Sequence, residues 1–366
     1  MRRFSAGLGV LLFVPAGCAS HDTAPSDAGS ETPPAVLVGN DGGDSLPTND
    51  RSPAPANEGG SSADAGGSSA DAGDADTGGS NGGGIAVKYP GDVGIENDPD
   101  VIFADGFETY GQVSDLSQKW DNFFQVSQTR IVTDPASVFA GQKALEFTLP
   151  QQTVELSNGV QKILTTELDL LYLRFYSKFD KSFDVTGSSH NGGGINAHYF
   201  SGFNATPGVP ANGTNKYLIE YECWRGQVTD KSPGQLNVYI YHPEQRSNYG
   251  DHFFPSGLVQ PNTSIPNNFG PGFVPQTDVT PDLDRWYEYE VMLKANTAGK
   301  RDGRVTLWLD GKMIGDFPNL RFRDVDTLKI DRFNLSLHAG SNPVGVTHKW
   351  YDNVVAAKSY IGPMSH

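Results

Sequence analysis

The sequence predicts an all-β fold, a jelly-roll sandwich of two antiparallel sheets preceded by a disordered tether, and three observations predict it. From Val101 onward, short runs rich in aromatic and β-branched residues alternate with Gly, Pro, Asn and Asp, and no long stretch keeps a helical period. Before them lies a long segment of Gly, Ser, Ala, Asp and Pro with almost nothing apolar to offset chain entropy. The whole chain has 366 residues, which leaves one large domain once that segment is set aside.

The elements follow in order. Residues 1–17 carry two arginines, an apolar run too short to span a bilayer and then small residues, the pattern of an export signal. Its end resembles a bacterial lipoprotein box in which Cys18 becomes the acylated N-terminus, with Pro15 where such boxes usually carry leucine. Acylation at Cys18 would place the protein in the outer membrane or at the cell surface, with the lipid as its only membrane contact; otherwise it is secreted. Residues 18–94 read as a low-complexity linker, with "GGSSADA" at 59–65 repeated at 66–72. The folded domain is expected over 95–366.

Composition excludes some functions. The net charge of −16 opposes nucleic-acid binding. Roughly half of the excess lies in the linker, so a locally basic face could still meet an anionic polymer. With Cys18 acylated, the only other cysteine is Cys223, which sits in the strand-like run "YLIEYECW" and reads as a buried structural thiol. Oligomeric state is not legible.

Within the domain the strand candidates are "VIFADGFE", "KALEFTL", "LLYLRFYSKF", "YLIEYECW", "LNVYIYH", "WYEYEVMLKANT", "RVTLWLDGK" and "IDRFNLSLHAG". "LDGK" at 309–312 predicts an Asp-Gly hairpin turn. The Pro- and Asn-rich stretch 256–281 predicts a surface loop over one edge of a groove. Period two assigns faces. Leu171, Leu173, Phe175 and Phe179 point inward, and Tyr172, Arg174, Tyr176 and Lys178 outward. Likewise Asn237, Tyr239 and Tyr241 oppose Leu236, Val238 and Ile240, while Arg332, Asn334, Ser336 and His338 oppose Phe333, Leu335 and Leu337. Cations and tyrosines on the outward faces suit an acidic sugar, although any half-exposed sheet is polar on its wet side.

The run "RWYEYEVMLKANTAGKRDGRVTLWLDGKMIGDFPNLRFRD" followed by "KWYDNVVAAKSYIGP" resembles the closing strands of concanavalin A-like jelly-roll polysaccharide lyases, families 14 and 20, which act on alginate and glucuronan. The resemblance spans roughly 101–363 in strand order. It implies β-elimination on a uronate-containing polysaccharide, with no cofactor for the chemistry. Tyr239 and Tyr241 match the family's Tyr-x-Tyr pair and are the base and acid candidates. Arg174, Lys178 and Arg332 are the candidate carboxylate sink. His190, Asn191, Asn237, Asn334, His338 and Tyr176 are expected on the same face. The family commonly has a Gly-Gly-Lys-Leu-Pro-Gly type loop where this chain has "SSHNGGGINAH" at 188–198, so His190 stands near a missing lysine.

That stretch lacks the helix and the Lys-Ser/Thr pair of a phosphate loop, and His190 and His198 lack a zinc spacing. It reads as a groove rim at which Gly192–Gly194 let a sugar chain approach the backbone, or as a glycine bulge that bends a strand. Glu220 and Glu222 share a strand face, as hydrolase carboxylates do, but "IEYECW" lacks the rest of the Glu-x-Asp-x-x-Glu run of laminarinase-type enzymes. In this fold a structural calcium often joins the first and last strands, for which Asp105, Glu108 and Asp352 are candidates beside ordinary turn chemistry. A non-catalytic carbohydrate-binding module is the competing class.

Overall fold

The structure is a computed structural model that describes residues 83–187 and 189–366. The signal-like segment, Cys18 and the linker up to residue 82 lie outside the described residues. Seventeen strands form in chain order. They are β1 (Val101–Asp105), β2 (Asn122–Phe124), β3 (Thr129–Val132), β4 (Ala144–Leu149), β5 (Leu156–Leu168), β6 (Leu170–Phe179) and β7 (Ser189–His190). Then come β8 (Gly193–Ala197), β9 (Tyr217–Trp224), β10 (Gln235–Tyr241), β11 (Asp251–Phe253) and β12 (Val259–Gln260). The last are β13 (Tyr287–Lys294), β14 (Gly303–Leu309), β15 (Lys312–Leu320), β16 (Ile330–Ala339) and β17 (Thr347–Ala357).

They build two antiparallel sheets. The first runs β15-β14-β13-β6-β17-β4-β3, with β1 also on β17; the second runs β12-β11-β10-β9-β8-β16-β5-β2, with β7 also on β16. One apolar core fills the space between them, drawn from alternate residues of both sheets: Leu173, Phe175 and Val291 from the first, Ile219, Val238, Phe333 and Leu335 from the second. The predicted fold class and inward faces are therefore present. Asp310 and Gly311 both take positive φ, 49° and 71°, the type I′ geometry whose twist suits a two-residue hairpin.

The domain begins earlier than residue 95. Three short 3-10 turns, Ile85–Lys88, Pro90–Asp92 and Ile95–Asn97, precede β1. Ile85 and Ala86 are buried and donate their amides to the carbonyls of Tyr360 and Ile361. Three apolar residues, Ile85, Ala86 and Ile95, suffice to seal the outer side of the first sheet, a signal hidden by the glycines before them. The stretch 256–281 is mostly irregular as expected, yet it includes β12 and buries Ile265 and Phe269 against the core.

The three carboxylates named for calcium all accept hydrogen bonds from the protein. Asp105 accepts from the Phe107 amide, the Tyr110 hydroxyl and Trp120 Nε1. Glu108 accepts from the Gln142 and Lys143 amides, and Asp352 from those of Phe139, Ala140 and Asn353. Among the described residues no group of three or more His, Cys, Asp or Glu is placed to hold a metal. These are turn and capping bonds, the alternative weighed for Asp105, Glu108 and Asp352. A cleft of about 700 Å³ lined by Asp92, Glu96, Asp105 and Lys119 lies beside them, on the first sheet.

Candidate active site

The outer face of the second sheet assembles the polar groups. Antiparallel register aligns His252, Tyr239, Glu220, Gly194, Asn334, Gln161 and Asn122 in one row across β11, β10, β9, β8, β16, β5 and β2. One pleat along, Asn237 pairs with Glu222, and two pleats along, His338 pairs with both His190 and Ser157. Because side chains repeat every second residue, these successive rows make a continuous polar face.

Tyr239 is at the centre of a strip of rings. Its ring centroid lies 4.7 Å from that of His190 and 4.9 Å from that of His252, and His190 stacks at 5.3 Å on His338. Trp224 continues the strip, 4.7 Å from His252. The Gly250 amide donates to the Tyr239 hydroxyl at 2.8 Å and fixes where that oxygen sits. His190 Nδ1 lies 3.0 Å from Glu222 Oε2, and His252 Nδ1 lies 3.0 Å from Asn237 Oδ1. His338 Nδ1 is 2.7 Å from Ser157 Oγ.

Two buried carboxylates lie behind this strip. Glu220 accepts from Asn334 Nδ2 and Ser336 Oγ at 2.8 and 2.7 Å. Burial, and then the neighbouring Glu222, push its pKa up to about 7. Burial also raises Glu222, against the opposing pull of His190. The strand opposite these carboxylates carries Asn334, Ser336 and His338, so no further carboxylate from β16 faces them as a hydrolase pair across the face would require.

The three glycines have three separate reasons. A Cβ on Gly192 would lie 1.8 Å from the Tyr221 carbonyl oxygen, one on Gly193 2.4 Å from the Phe175 ring, and one on Gly194 1.6 Å from Glu220 Oε2. "GGGINA" is thus largely a strand interior, β8, and the space over its glycines is filled by protein atoms where the sequence suggested an approaching sugar.

Several expected residues lie elsewhere. Arg174, Tyr176 and Lys178 point outward as predicted, but from β6, and therefore from the far side of the other sheet. Arg174 is wholly buried, paired with Asp92 and donating to the carbonyls of Gly362 and Asn353. Tyr176 stacks on Phe139 at 3.8 Å and accepts from the Met364 amide. Lys178 donates to the Ala136 carbonyl and lies over the Trp350 ring. Arg174 and Tyr176 hold the terminal segments, Lys178 holds the turn at Ala136, and none of the three takes part in the row. Asn191 braces β9 through Cys223, its side chain bonding both the carbonyl and the amide of that residue.

Tyr241 is buried beside the row, with the Lys216 ammonium 4.3 Å above its ring. Desolvation lowers Lys216 to about 7. Arg332 is on the site face, paired with Asp331. Cys223 lies in the core with its thiol pushed up to about 12 by burial. The face thus groups Tyr239, His190, Asn237, Asn334, His338 and Arg332 from the lyase candidates with Glu220 and Glu222, the pair weighed for hydrolysis, and adds His252 and Gln161. His252 is in a three-residue strand too short to register as alternation, and Gln161 in a strand too polar to be recognised as one.

No protein-family model matches this chain, and no curated protein sequence matches it. Solved structures do. Alginate lyase Aly36B superposes with a TM-score of 0.50 at 18% identity, covering 71% of this chain and 98% of that one. The two share a fold. A mutant of that lyase, solved in complex with an alginate tetrasaccharide, matches with the same figures. The endo-β-1,4-glucuronan lyase of the fungus Trichoderma reesei gives 0.45 at 18% identity, covering 70% and 95% of the two chains, and the marine PL-14 alginate lyase of Aplysia kurodai gives 0.49 at 11%, covering 70% and 99%. The jelly-roll architecture is thus shared with alginate lyase Aly36B, at low sequence identity.

Proposed function

We propose that this chain is a polysaccharide lyase that cleaves a uronate-containing polysaccharide by β-elimination. The observation that supports it most is the Tyr239 phenol flanked by His190 and His252, two proton-transfer groups within one ring contact of each other on an exterior sheet face. In the elimination a base removes the proton on C5, the C4–O bond breaks, a C4=C5 double bond forms and the departing oxygen takes a proton. His190 serves as base through Nε2, since its Nδ1 is engaged by Glu222, and Tyr239 supplies the proton to the leaving oxygen. His252 and His338 flank the pair and meet the uronate carboxylate, whose charge must be neutralised for C5 to become acidic. Acylation at Cys18 belongs to the same proposal and is tested by mass spectrometry of the mature N-terminal peptide.

The second reading, a non-catalytic carbohydrate-binding module, is favoured by the burial of Tyr239, which is only 5% exposed. Incubating the protein with alginate, glucuronan and a neutral glucan separates the two. The lyase reading expects ultraviolet absorbance from the unsaturated uronate on an acidic polymer, and a loss of at least about 100-fold in rate for Tyr239→Phe. Retained polymer binding with flat absorbance would make the protein a binding module; new reducing ends without absorbance would make it a hydrolase.

A further inference from the structure

The polar row continues well past Tyr239. Gln161 lies four strands away along it, on the order of 19 Å at the ordinary strand spacing. Its side chain is only 3% exposed, and its amide orientation is set: Oε1 accepts from Asn122 Nδ2 at 2.8 Å and lies 3.5 Å from an Arg332 nitrogen. The amino end, Nε2, is therefore the one left over, and among the described residues no acceptor takes it. That amino group is open to solvent on the site face, where a ligand oxygen can replace water as its acceptor.

The surroundings are those of a sugar site. Phe124 stands next to Gln161 on the same face, its ring over Gly159, where a Cβ would come within 3.4 Å of it. Phe200 is 41% exposed, with its centroid 6.1 Å from that of Phe124. Arg332 reaches Ser201 in the same turn at 3.3 Å and ties it to β16. An exposed and a half-buried aromatic ring beside a solvent-facing donor on a rigid sheet are what one unit of an oligosaccharide needs: a flat apolar surface and a directed hydrogen bond.

We infer that Gln161, Phe124 and Phe200 form a distal subsite that binds one sugar unit of the acidic polysaccharide, remote from the point of cleavage. Gln161 Nε2 donates to a carboxylate or hydroxyl oxygen of that unit, and the two phenylalanine rings cover its apolar face. The inference rests on the reading of this face as a polysaccharide site, and it extends that site across the sheet toward β2.

Chain length tests it. Affinity of the full chain for alginate polymer and for an alginate trisaccharide, too short to reach both ends of the row, is measured by calorimetry for the parent, Gln161→Ala and Phe200→Ala. Each variant is expected to bind polymer roughly 3- to 10-fold more weakly while trisaccharide affinity stays unchanged. Phe200 is exposed, so its variant folds even where loss of the buried Gln161 does not. Equal polymer affinity in parent and Phe200→Ala, or an equal loss for both ligands, overturns the subsite. A parent that binds no acidic polymer overturns both the subsite and the reading beneath it; a parent that binds without cleaving removes the lyase chemistry and leaves the subsite standing.

Discussion

Glu222 and His190 hold each other at 3.0 Å, with the carboxylate fully buried and 24% of the imidazole side chain still exposed. A carboxylate on Nδ1 fixes both the ring orientation and the tautomer. Replacing Glu222 with Gln keeps the shape and removes the charge. Lyase turnover is expected to fall about 10- to 100-fold with KM little changed, and nitrogen NMR of His190 to show the Nδ1–H tautomer losing its dominance. Unchanged tautomer and turnover together would mean that Glu222 only fills space.

Glu220 predicts how stability depends on pH. Its folded pKa is raised from 4.5 to about 7 by burial and by Glu222, so the protonated form is the stabilising one. Its contribution is complete below 4.5 and is lost as pH rises through about 7. Glu220→Gln stays neutral throughout. Urea denaturation at about pH 5 and about pH 8 should show the parent losing up to roughly 3 kcal/mol more than the variant between the two.

The glycines separate folding from chemistry. Gly192→Ala drives a Cβ into the Tyr221 carbonyl, which is backbone and cannot turn aside, so expression or melting temperature should collapse. Gly194→Ala meets the end of the Glu220 side chain instead. It should keep a cooperative melt while activity drops, because Glu220 is displaced from Asn334 and Ser336. Thermal melts paired with turnover assays check both, and equal behaviour of the two variants would contradict the packing described.

A protein trimmed to start at residue 95 loses Asp92, the ion-pair partner of the wholly buried Arg174. Leaving a buried guanidinium uncompensated costs on the order of 3–5 kcal/mol. Such a truncation is expected to melt well below one starting at residue 83, as scanning calorimetry would show.

Period-two alternation in the sequence determined the two-faced strands, the Asp310-Gly311 turn and the inward set that became the core, because burial and turn geometry act on neighbours along the chain. Alternation tells which face of a strand is wet, but carries no information about which sheet the strand joins. Arg174, Tyr176 and Lys178 on β6 and Tyr239 on β10 all point outward, yet away from one another across the core. Only pairing between strands distant in sequence decided that Tyr239, His190 and His252 would meet, and that the glycines at 192–194 would make room for Tyr221, Phe175 and Glu220. Those contacts join residues on different strands, and strand register and sheet packing, which local sequence does not encode, set them.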